Sequence, residues 1–178
     1  MREALAALEL MGVVSTHVGA GTYVVGEANG EPVTRTADAS PFEILEFRLL
    51  LEPRIAQVAA RRWDRRTLAA IARPLRALER EAETGSAEHP TLQDRQFHAA
   101  IAGATVNTVL IELSAPLWEL MSQTLWRRLK EREWTAAHTA RVAEEHHKIF
   151  EAIRARDVDL SGFLMEAHIR RVMTDLFE

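Results

Sequence analysis

Between Arg2 and Met11 apolar residues recur at Leu5, Leu8 and Met11, one face of a short helix, and Gly12 stands where such a helix would end. Two β-type runs follow, Val13 to Val18 and Thr22 to Val25, and the Gly19-Ala20-Gly21 between them predicts the turn of a hairpin. From Gly26 to Ser40 the pattern lapses into polar, aperiodic sequence with two glycines and a proline, as expected of a linker. Everything beyond it has helical periodicity. Ser40 and Pro41 supply an N-cap and a first-turn residue for a helix from Phe42 to Trp63. A second is predicted from Arg66 to Glu83, kinked at Pro74, and a third from Thr91 to Gly103. A fourth spans Asn107 to Glu131 and is bent by Pro116, and the last two cover Thr135 to Arg156 and Leu160 to Phe177. Six helices with short connections predict an all-α, antiparallel bundle.

Composition narrows what such a bundle does. The 178 residues suffice for one medium domain and a fragment of another. With 22 Lys and Arg against 26 Asp and Glu, the net charge of -4 excludes a chain that coats nucleic acid through a bulk positive field, so any DNA contact is local. Cysteine is absent, so a metal would be held by nitrogen and oxygen. No apolar run approaches the roughly 20 residues of a membrane span, and no signal core follows the N-terminus, so a cytoplasmic protein with no membrane partner is expected.

Helical phase then picks out four residues. Asp94 and His98 lie four apart on the third helix and project from one face. On the fifth, His146 shares the apolar stripe of Val142, Ile149 and Ile153, whereas His147 falls in line with Ala143, Glu151 and Arg154 and should face outward. On the sixth, His168 lies between Leu164 and Val172 at helical spacing. One histidine on an apolar face is ordinarily a core residue bonded to backbone. Three of them with Asp94 differ, because leaving each unpaired would cost about 1–3 kcal/mol and a single cation satisfies them all. The set suits a divalent metal such as zinc or nickel. Enzyme signatures are not met: H-E-x-x-H is absent, Glu144 to His147 is the lone E-x-x-H pair, and neither Ser114 nor Ser122 has the flanking glycines of a nucleophile elbow.

These segments carry a resemblance. MREALAALELMGVVSTHVGAGTYVV resembles the recognition helix and wing, and EFRLLLEPRIAQVAARR, DRQFHAAIAGATVN, EEHHKIFEAIRARD and MEAHIRRV resemble the helical effector (FCD) domain, of the FadR-type branch of the GntR family of bacterial transcription regulators. The resemblance implies a partial winged helix-turn-helix over residues 1–26, a linker over 27–40 and an FCD-type ligand-binding domain over 41–178. It implies the same metal ligands, Asp94, His98, His146 and His168. Arg48 corresponds to an arginine that can point at the effector, although an i+4 salt bridge with Glu52 is an equal alternative. Arg2 corresponds to a DNA-contacting arginine.

The two helices that precede the recognition helix in the family have no counterpart here, and Met1 stands where the family has Val. Operator DNA is therefore expected as a partner only of a protein that supplies them. The favoured reading is a homodimeric regulator whose metal-assisted pocket binds a small carboxylate. The alternative is a metal-dependent enzyme on a helical bundle, acting on a small organic acid with Glu145 or His147 beside the metal. The arginine-rich stretches Arg61 to Arg66 and Trp126 to Lys130 read as solvated helix faces.

Overall fold

In a computed structural model that describes residues 14–17, 21–24, 39–84, 90–120 and 135–177, the chain divides into two compact units, Met1–Ala39 and Ser40–Glu178. In the first, β1 (Val14–His17) and β2 (Gly21–Val24) form an antiparallel hairpin with Val14 opposite Val24 and His17 opposite Gly21. Gly21 therefore opens the second strand instead of belonging to the turn, because its backbone joins the ladder opposite His17. The expected N-terminal helix, Arg2 and most of the linker lie outside the described residues.

The second unit contains six helices among the described residues: α1 (Pro41–Arg62), α2 (Arg65–Thr84), α3 (Pro90–Ala104), α4 (Thr108–Leu120), α5 (Ala136–Arg154) and α6 (Val158–Phe177). Local side chains explain where they begin. Ser40 caps α1 in a reciprocal box: the Glu43 amide donates to Ser40 Oγ at 3.3 Å, and the Ser40 amide to Glu43 Oε2 at 2.8 Å. Asp64 Oδ1 accepts from the Thr67 amide at 2.7 Å before α2, and Asn107 Oδ1 from the Val109 amide at 3.1 Å before α4. Thr135 Oγ1 accepts from the His138 amide at 3.1 Å, and Asp157 Oδ1 from the Leu160 amide at 3.0 Å. Each satisfies an N–H that the first helical turn leaves without an internal partner.

Prolines do not end these helices. α1, α2 and α4 run on through Pro53, Pro74 and Pro116, and the first two of these side chains are buried in the core. α1 packs along α6, and α2 along α3 and α5. Gly162 of α6 lies against the Gln57 side chain of α1, whose Nε2 would stand 2.6 Å from an added Cβ. Leu45, Ile55, Ile71, Leu78, Phe97, Ile149, Ile153, Met165 and Ile169 fill the interior.

The loop between α5 and α6 is held by an arginine. Arg156 adopts a left-handed φ of 59°, and the Asp157 amide closes the end of α5 on the Ala152 carbonyl at 3.0 Å. The Arg156 guanidinium donates to the Ala60, Arg61 and Trp63 carbonyls at the end of α1 and lies 4.2 Å from the centre of the Trp63 ring. One residue thus terminates α5 and caps α1. No described helix is long and apolar enough to cross a membrane.

Candidate metal centre

α3 presents Asp94 and His98 one turn apart, α5 presents His146 and α6 presents His168, and all four side chains reach the same interior point. None is more than 3% exposed. One ligand atom from each lies within 4.8 Å of all the others. Asp94 Oδ1 is 3.5 Å from His98 Nε2 and 3.4 Å from His146 Nε2, and His146 Nε2 is 3.4 Å from His168 Nε2. Ligands about 2.1 Å from a common cation stand about 3.0 Å apart at neighbouring corners of an octahedron and about 3.4 Å apart in a tetrahedron. The three separations near 3.4 Å match the tetrahedral spacing, and the donor set of three imidazoles and one carboxylate suits zinc or nickel.

Two further carboxylates orient the rings. His168 Nδ1 lies 2.7 Å from Glu145 Oε2, which turns its Nε2 toward the cluster. His98 Nδ1 lies 2.7 Å from Glu52 Oε2, an ion-pair contact rather than a straight hydrogen bond, and its Nε2 likewise faces inward. Carboxylates behind metal-binding imidazoles fix the tautomer and raise ligand basicity. His146 is positioned by Phe97, whose ring stacks on it with centres 4.1 Å apart.

Each glutamate is itself matched by an arginine. Arg48 Nε donates to Glu52 Oε1 at 2.7 Å, and its Nη2 lies 3.3 Å from Glu52 Oε2 and 3.3 Å from His98 Nε2. Arg171 Nη2 donates to Glu145 Oε2 at 2.6 Å while its Nε bonds the other carboxylate oxygen. Burial opposes the charge on both glutamates, yet Arg48 and His98 bring Glu52 down to about 2, and His168 and Arg171 do the same for Glu145. Burial pulls His168 down to about 4, so it is neutral and able to ligate at neutral pH. For His98 burial opposes the charged form, but Glu52 and Asp94 outweigh burial and Arg48 and raise it above its ordinary value.

The structure thus brings together the four residues singled out in the sequence and sets Arg48 beside them, buried and paired with Glu52. The i+4 salt bridge with Glu52 is the Arg48 contact seen here. His147 is exposed and lies 2.9 Å from Glu79, away from the cluster. Sequence reasoning missed the orienting roles of Glu52 and Glu145. The signal was present for Glu52, which shares the buried stripe of α1 with Ile44, Arg48 and Ile55. Among the described residues, a cavity of about 10 Å³ beside Glu52, His98 and Met165 has room for one water at most.

Comparison with known proteins is consistent across the chain. The FCD domain family matches residues 43–171. The Uxu operon transcriptional regulator of Escherichia coli (strain K12) is 32% identical over 184 residues, covering 100% of this chain and 72% of that protein. The HTH-type transcriptional regulator LutR of Bacillus subtilis (strain 168) is 29% identical, covering 97% and 81%. Among solved structures, E. coli McbR/YncC aligns with a TM-score of 0.66 at 24% identity, over 99% of this chain and 78% of that one, a likeness of fold.

Proposed function

The chain belongs to the FCD-domain family of GntR-type transcription regulators, and from that premise we propose that its helical unit binds a divalent metal and a small carboxylate effector that modulates operator binding. Its relatives are regulators, and the chain is a regulator rather than an enzyme. Asp94, His98, His146 and His168 would hold the ion, and the observation that carries this is the convergence of their buried donor atoms within 4.8 Å. A bound cation supplies a Lewis-acidic anchor for an oxygen ligand.

Charge explains why the effector is an anion. Arg48 answers Glu52 and Arg171 answers Glu145, which leaves Asp94 alone against a divalent ion and the centre near +1. In a low-dielectric interior that surplus favours a carboxylate such as a hydroxy acid, dicarboxylate or sugar acid. Arg48, 3.3 Å from His98 Nε2, would hydrogen-bond the carboxylate's second oxygen. Arg2 we assign to operator DNA, and the working form to a homodimer that carries the DNA-binding arms.

The experiment is metal analysis of gently purified protein followed by calorimetric titration of carboxylates into loaded and stripped samples. About one zinc or nickel ion per protomer is expected, with carboxylate binding only when it is present. Arg48→Ala should weaken carboxylate binding by about 1.5–3 kcal/mol, the worth of a charge-assisted hydrogen bond, while the metal stays bound. A protein that takes up neither metal overturns the reading.

A further inference from the structure

The Arg48 guanidinium and a metal ion need the same ligand atom. Arg48 Nη2 stands 3.3 Å from His98 Nε2, the imidazole nitrogen that faces Asp94 and the rest of the ligand set. Glu52 holds both partners of this contact: one carboxylate oxygen takes Arg48 Nε at 2.7 Å, and the other lies 2.7 Å from His98 Nδ1. Arg48, Glu52 and His98 are all buried, so bulk solvent does not screen the contact. Whichever protonation state the ring takes, a guanidinium nitrogen and a ligated cation cannot both sit on Nε2, and two positive charges at that spacing repel in a dry interior.

We propose that Arg48 is a built-in antagonist of the metal: it holds the ligand face of His98 in the metal-free protein and must leave that face before His98 can ligate a cation, which turns its Nη2 to a carboxylate instead. The inference rests on the metal-and-carboxylate reading above and adds a direction to it. Arg48 weakens metal binding on its own, and a carboxylate that engages Arg48 removes the antagonism. Because coupling between two ligands is reciprocal, the same arginine makes the metal a prerequisite for tight carboxylate binding.

The test uses the whole chain, stripped by a chelator and titrated with zinc alone and nickel alone in competition with an indicator chelator. Arg48→Met should bind metal about tenfold more tightly than the parent, the change expected for about 1.4 kcal/mol. Arg48→Lys, which keeps the charge without the fork, should fall between them. Acetate should then raise the parent's metal affinity by a larger factor than that of Arg48→Met. Arg48→Met leaves Glu52 buried without its guanidinium, so melting curves are recorded alongside. If that variant does not fold without metal, the double variant Arg48→Met with Glu52→Gln, which removes both charges together, is titrated instead and is also expected to bind more tightly than the parent. Equal or weaker metal binding by the neutral variants, or an equal acetate effect, overturns the antagonism while leaving the metal reading in place. No uptake by parent or variants removes the metal reading itself.

Discussion

At the residue scale, two of the three histidines of the centre, His98 and His168, set their outer nitrogens against carboxylates. Glu145 is the partner of His168, and Arg171 holds Glu145 by both carboxylate oxygens. The carboxylate is about a quarter exposed, at 23%, so its contribution lies in aiming the ring more than in stability. Glu145→Gln keeps the shape and removes the charge. We expect metal affinity to fall by about 10–100-fold, the usual effect of losing a carboxylate behind a ligating imidazole, with helix content unchanged. Competition titration beside circular dichroism checks this, and an affinity equal to the parent's would show that His168 needs no such partner.

At the element scale, stability rests on caps that can be read individually. Arg156 combines a strained left-handed backbone with three carbonyl contacts at the end of α1. Arg156→Ala loses the contacts and keeps the strain, whereas Arg156→Gly loses the contacts and relieves it. Both should be less stable than the parent, with the glycine variant about 1 kcal/mol better than the alanine one. Denaturant unfolding resolves such a gap, and the opposite order would remove the strain argument. Asp64 provides a pH signature for α2. The Thr67 amide and hydroxyl hold its carboxyl below the ordinary value of 3.8. Its contribution is therefore complete above that value and is lost as pH falls through the lowered one. Asp64→Asn keeps a capping oxygen that does not titrate, so its stability should decline less steeply than the parent's below pH 3.8.

For the whole molecule, the ligand set ties α3, α5 and α6 together at one point, so an ion there should stabilise the fold cooperatively. At about 100 times its dissociation constant a metal adds about 2.7 kcal/mol. For a domain of this size that corresponds to a rise in melting temperature of roughly 5–10 °C. Thermal scans with zinc and with chelator measure it directly. Coincident curves would mean that the cluster does not bind zinc under those conditions.

Much of this protein was determined by near neighbours in the chain. Ser40 with Pro41 marks the start of α1, and the phase of Asp94, His98, His146 and His168 follows from helical geometry, because residues four apart share a face whatever the helix later packs against. The prolines lie within helices and do not end them: α2 continues through Pro74, whose side chain is buried in the bundle. Other features were decided only when the helices came together. The pairing of His168 with Glu145 joins residues 23 apart, and the contact of Arg48 with His98 joins residues 50 apart. Neither follows from spacing along one helix. Which carboxylates meet His98 and His168, and that Arg48 stands against the His98 nitrogen facing Asp94, are set by the packing of α1 against α3 and of α5 against α6.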